Sequence, residues 1–184
     1  MRMSPRSAFT YRDYEELPND GRRYEIHDGE LCVTPAPSPQ HQLISGVLFV
    51  ILSRWLDRHP GGRFIYSPLD VILTETTIVQ PDIIYLGLDR LERISRRGIE
   101  GAPTLAIEIL SPSTRTIDRA TKGGLYARCG VPFLWLVDPD AQTIEVFALQ
   151  GQRYGLLLAA TGGSPIDLPP FTGLGLVPDT LWPD

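Results

Sequence analysis

The stretch Thr104-Leu-Ala-Ile-Glu-Ile-Leu110 constrains the fold more than any other part of the chain. It is apolar at both odd and even positions, broken only by Glu108, which is the pattern of a central strand buried on both faces. Such a strand needs other elements above and below it, so the fold must be layered. Side chains alternate along a strand, placing Ala106, Glu108 and Leu110 on one face. An ionised carboxylate buried there costs on the order of several kcal/mol unless it is paired or metal-bound. Glu108 is therefore either a strand-end acid that reaches solvent or an arginine, or an acid held inside for its chemistry.

The surrounding pattern supplies the layers. Phe9 to Leu17 reads as a short helix with Thr10 as N-cap and Pro18 past its end. Arg22 to His27 and Glu30 to Thr34 flank Asp28-Gly29, a two-residue hairpin signal. After the proline-rich loop Pro35 to Pro39, Ser38 caps a helix running to about His59. Its apolar residues Ile44, Leu48, Ile51, Leu52 and Trp55 recur at helical spacing. Strands are expected at Arg63–Tyr66, Leu69–Leu73 and Asp82–Leu86, with a charged short helix or loop from Asp89 to Arg97. Ser113 to Cys129 reads as a helix, weakened by Gly123-Gly124, and Phe133–Val137, Ile144–Leu149 and Arg153–Leu158 as closing strands. The tail from Gly162 is rich in Gly and Pro and has no clear pattern; exposed aromatics in it, such as Trp182, would be interface candidates. The whole is an α/β chain with a mixed sheet flanked by helices, expected to form a single domain over its 184 residues.

Composition narrows the function classes. No apolar run is long enough to span a bilayer, and the N-terminus lacks a signal-peptide stretch, so a cytoplasmic protein is expected. Cys32 and Cys129 have no metal-ligand spacing and read as reduced and structural. A formal charge of −5 argues against bulk electrostatic binding of nucleic acid, while leaving local basic clusters available. The 17 basic residues comprise 16 arginines and one lysine, Lys122. Either this is residual composition, or the position needs a compact ammonium that guanidinium does not imitate.

Asp82 follows Val79-Gln80-Pro81 at the entry to an apolar strand, where Pro-Asp is also an ordinary turn pair. Lys122 lies four residues after Asp118, the spacing of an intrahelical ion pair, and shares a helix face with Arg115 and Arg119. That face could meet phosphate or simply be solvated. Two acids from neighbouring strands with an ammonium nearby could hold a hard divalent cation and orient an attacking water.

In order along the chain come Pro81-Asp82, Glu108-Ile-Leu-Ser-Pro-Ser-Thr114, Asp118-Arg-Ala-Thr-Lys122, Tyr126 and Gly130-Val-Pro-Phe-Leu-Trp135-Leu-Val-Asp138-Pro139. This series resembles the Uma-type restriction endonucleases of the PD-(D/E)xK nuclease superfamily. Tyr24-Glu25-Ile-His-Asp28-Gly29-Glu30, the proline-rich stretch ending in His41, and Gly101-Ala102-Pro103 extend the match over about residues 20 to 150. The resemblance implies a restriction-endonuclease-like core with an N-terminal hairpin. It also implies a Mg²⁺-dependent (or Mn²⁺-dependent) endonuclease acting on DNA, with a homodimer as a way to reach both strands. Asp82, Glu108 and the Ile109 carbonyl would hold the metal, with Lys122 and Glu25 as further catalytic groups. His41, Arg115 and Arg119 are candidate phosphate contacts.

One position departs from the superfamily signature. Two residues after Glu108, where the signature has lysine, stands Leu110, and the resemblance implies that Lys122 supplies the ammonium from the following helix. A nuclease fold used for binding or assembly without turnover is the alternative. A carboxylate–metal hydrolase acting on small phosphate esters is a third reading. For Glu25 a surface pair with Arg22 or Arg23 stays open.

Overall fold

The structure is a computed structural model that describes residues 8–111 and 117–183. It opens with the short helix α1 (Tyr11–Glu15), whose first turn is closed by Asp13 accepting from the Thr10 amide and hydroxyl. Strands β1 (Arg23–His27) and β2 (Glu30–Thr34) form the expected hairpin. Asp28 and Gly29 both take positive φ, 49° and 85°, as a tight two-residue turn demands. Helix α2 (Pro39–Arg58) starts where Ser38 accepts the His41 amide at 3.2 Å.

Next come β3 (Gly62–Tyr66), β4 (Val71–Thr74), β5 (Thr77–Val79) and β6 (Ile83–Gly87). A short 3₁₀ turn, Leu88–Arg93, follows, then β7 (Ile99–Glu100) and β8 (Leu105–Ile109). A wide π turn, Ile117–Lys122, leads into α3 (Gly123–Arg128). The chain continues with β9 (Phe133–Asp138), β10 (Thr143–Gln150), β11 (Arg153–Ala160), β12 (Ile166–Leu168) and β13 (Phe171–Leu176).

These strands form a six-stranded sheet in the order β11-β10-β9-β8-β6-β3, a five-stranded sheet β2-β1-β5-β4-β7, and the pair β12-β13. The larger sheet is mixed: β8 and β9 run parallel while its other pairs are antiparallel. Parallel neighbours need a crossover, and α3 with its π turn makes it. One face of this sheet packs Ile107, Ile109, Ile83 and Trp135 against Ile44, Leu48 and Leu52 of α2. The other packs Ala106, Leu110, Ile84 and Leu134 against Leu125 and Tyr126 of α3. Strand β8 is buried throughout, as its apolar pattern requires.

Three expectations are revised. The tail from Gly162 is ordered rather than patternless: Leu168, Phe171, Leu174, Leu176 and Leu181 all enter the α2-side core. Trp182 packs against that same core instead of standing free on the surface. Two short strands, β5 and β7, were not expected; at three and two residues they are too short to show a period. Among the described residues no helix is long and apolar enough to cross a membrane.

Candidate active site

The two sheets meet at Gln80-Pro81-Asp82, the link between β5 and β6. Strand β1 pairs with β5 through Ile26 and Ile78, so Glu25 comes beside this link, and the Gln80 amide donates to Glu25 Oε1 at 2.7 Å. On the other side, β6 and β8 pair Ile83 with Ile107, and the Asp82 amide donates to the Ile107 carbonyl. Continuing that register sets Asp82 across from Glu108. Because the crossover must return over the same face, α3 and its π turn lie above Glu108 and carry Lys122 and Tyr126 to it.

The resulting contacts join groups from five separate parts of the chain. Lys122 Nζ lies 3.1 and 3.3 Å from the two Glu108 oxygens and 3.0 Å from Glu25 Oε1. The Tyr126 hydroxyl donates to Glu108 Oε1 at 2.5 Å. Asp82 Oδ2 accepts the Ile109 amide at 2.8 Å and meets His41 Nε2 at 3.0 Å, while Asp82 Oδ1 faces Arg23 at 3.8 Å. Glu25 Oε2 meets His27 Nε2 at 3.0 Å. Exposure is 2% at Glu25, 5% at Asp82, 3% at Glu108 and 4% at Lys122. Burial of this depth removes water as a competitor, so each charge depends on its partners.

Burial pushes the Glu25 carboxyl up, but the Lys122 ammonium, His27 and the Gln80 amide outweigh it and hold the group at about 2. Glu25 is thus a buried carboxylate kept ionised by the lysine. Both cysteines shift the other way from Glu25. Burial, joined at Cys32 by the Glu25 and Glu30 charges, raises both thiols, which argues against a thiolate nucleophile.

The fit to a hard cation rests on donor chemistry and charge. Three buried carboxylates, Glu25, Asp82 and Glu108, meet the basic side chains of Lys122 and Arg23. The oxygen donors of Asp82 and Glu108, set in register on neighbouring strands, suit Mg²⁺ or Mn²⁺. In this conformation, however, no three His, Cys, Asp or Glu side chains among the described residues are gathered closely enough to hold a metal. Asp82 turns one oxygen to His41 and Ile109, and the Glu108 carboxylate takes the ammonium and the phenol.

The remaining sequence-predicted groups are placed as follows. His41 reaches Asp82 rather than an open phosphate position. Arg119 pairs with Asp138 at 3.6 Å and Glu145 at 2.6 Å, on β9 and β10. Arg115 lies outside the described residues. Glu25 is not a surface partner of its neighbouring arginines: Arg22 pairs with Asp20, and Arg23 with Gln80 and Asp82. Sequence reasoning assigned no role to Gln80, Arg23 or His27. The available signal for Gln80 was an amide side chain closing an otherwise apolar strand, Thr-Ile-Val-Gln, immediately before Pro-Asp.

Comparison with known proteins agrees with this architecture. Residues 11–179 match the family Uma2, described as "Putative restriction endonuclease". A crystal structure from Anabaena variabilis ATCC 29413, described as "a putative nuclease belonging to DUF820", superposes with a TM-score of 0.76 at 23% identity. The match covers 94% of this chain and 97% of that one, and it is a likeness of fold. No curated protein matches the chain.

Proposed function

The chain belongs to the Uma2 family, and from that premise we propose that it is a Mg²⁺-dependent endonuclease that hydrolyses DNA phosphodiester bonds. The observation that carries this reading is the buried Lys122 ammonium, shared between Glu108 and Glu25 beside the strand end that bears Asp82. Asp82, Glu108 and the Ile109 carbonyl would hold the metal. A bound Mg²⁺ lowers the pKa of water and offsets charge on the phosphoryl oxygens.

The protein's own groups do the positioning. The Ile109 amide and His41 fix the Asp82 carboxylate, and the Tyr126 hydroxyl fixes Glu108. Lys122 offers a compact donor that can orient the attacking water and face the negative charge that grows on the phosphoryl group. Glu25 Oε1, 3.0 Å away, keeps that ammonium in place. Lysine at this point on the crossover stands in for the missing lysine of the signature strand, where Leu110 is buried in the core.

Nicking of supercoiled plasmid tests the reading. Cutting should require Mg²⁺ or Mn²⁺, and Lys122→Ala and Asp82→Ala should each lose it. Equal cutting by wild type and both variants would reject it.

A second reading has its own observation. The Asp82 and Glu108 carboxylates are each engaged by protein donors, which suits a nuclease fold used for binding without turnover. Calorimetry separates the two: absence of Mg²⁺ and Mn²⁺ binding at millimolar concentration would favour the second.

A further inference from the structure

Among the described residues, Arg23 is a cation of the site whose placement the assigned residues do not explain. Its Nε donates to Gln80 Oε1 at 3.1 Å and its Nη2 to the Gln80 carbonyl at 2.7 Å, so a single residue grips one edge of the guanidinium through two donors. Gln80 is itself fixed. Its side-chain nitrogen donates to Asp70 Oδ1 at 2.8 Å and to the Tyr14 hydroxyl at 3.1 Å, and its amide to Glu25 at 2.7 Å. Asp70, an acceptor only, requires the NH₂ end of that amide, which leaves the oxygen end for Arg23.

The third nitrogen, Nη1, is left pointing at the site. It stops 3.8 Å from Asp82 Oδ1, within ion-pair range but beyond a hydrogen bond, and the side chain is 19% exposed. Guanidinium–carboxylate pairs built for stability dock with two short parallel bonds, and this one does not. A fixed positive charge beside Asp82 would also repel a divalent cation there. A phosphate arriving between them resolves that conflict, because guanidinium and metal both favour its oxygens.

We propose that Arg23 Nη1 contacts a non-bridging oxygen of the scissile phosphate, with Gln80 as the residue that positions it. The inference rests on the phosphodiester reading above. It predicts a loss of affinity for one ligand without a loss for the other, which a merely structural arginine would not produce.

The experiment is calorimetry on the full chain with Mg²⁺ alone and with a nucleoside 3′,5′-bisphosphate in Mg²⁺, together with plasmid nicking. Arg23→Ala should weaken the bisphosphate at least about tenfold while leaving Mg²⁺ affinity equal or tighter, and should slow nicking by about 10²–10³-fold. Arg23→Lys keeps the charge without the two-donor grip and should fall between wild type and Arg23→Ala; it also serves if the alanine variant does not fold. Unchanged bisphosphate affinity in both variants, weaker binding of Mg²⁺ alone, or no bisphosphate binding by wild type would each overturn the assignment. If wild type binds the bisphosphate through Arg23 yet never nicks DNA, the endonuclease reading fails and only the contact between Arg23 and phosphate stands. If wild type and Arg23→Ala nick equally, the reverse holds.

Discussion

Lys122 Nζ sits 3.1 Å from Glu108 Oε1, although Glu108 lies on the strand that enters a crossover connection and Lys122 in the middle of that crossover. The parallel pairing of β8 and β9 forces the chain back over the sheet, and the ammonium is delivered by that return. With Glu25 also 3.0 Å away, one buried cation answers two buried acids.

Removing that cation should therefore cost more than a surface charge would. Lys122→Met is expected to destabilise the fold by about 3–5 kcal/mol, because Glu25 and Glu108 are left facing each other without it. Urea unfolding measures this. Adding Glu25→Gln to Lys122→Met should recover part of the loss, as expected of groups in one network.

Acid should loosen the same network. An unfolded glutamate titrates near about 4.3, whereas folded Glu25 is held at about 2. Between these values the unfolded chain binds more protons, so stability falls as the pH drops. Glu25's contribution is fully present above about 4.3 and is lost as the pH falls through about 2. Glu25→Gln should flatten the acid limb of a urea-midpoint profile between pH 5 and 2; an unchanged limb would contradict the pairing.

Metal affinity should report on Asp82 and its supports separately. Asp82→Asn should abolish detectable Mg²⁺ binding in calorimetry. His41→Ala leaves the carboxylate but removes its 3.0 Å partner, and should weaken binding about 10–100-fold. Wild-type affinity in His41→Ala would show that the Ile109 amide alone orients Asp82.

The tail strand makes a prediction remote from the site. Phe171 is 1% exposed and its ring centre lies 4.8–5.6 Å from those of Trp55, Phe64, Tyr85 and Trp135, in tilted or edge-on contact. Phe171→Ala should cost about 3–5 kcal/mol in urea unfolding, with Mg²⁺ affinity unchanged at saturating folded protein.

That last contrast shows what kind of structure a sequence displays. The hairpin at Asp28-Gly29, the Ser38-capped helix and the Glu108 strand were legible because each carries a local signal: a turn dipeptide, a 3.6-residue period, an unbroken apolar run. Strands β12 and β13 were not, because prolines and glycines surround Ile166-Asp-Leu168 and the partner surface is α2, far back in the chain. Glu108, Asp82 and Lys122 could be singled out by residue type and order. The roles of Arg23, Gln80 and His27 could not, since their meaning lies in contacts made across the junction of two sheets; Arg23 and Gln80 are 57 residues apart.

In the proposed reaction Asp82, Glu108 and Lys122 cut DNA with a divalent metal. The rate of plasmid nicking in Mg²⁺ by wild type, Lys122→Ala and Asp82→Ala, purified side by side and with a chelator control, tests this. Cutting by wild type alone, abolished by chelator, is expected. Cutting of equal rate in all three proteins, or none by wild type in either Mg²⁺ or Mn²⁺, would contradict it.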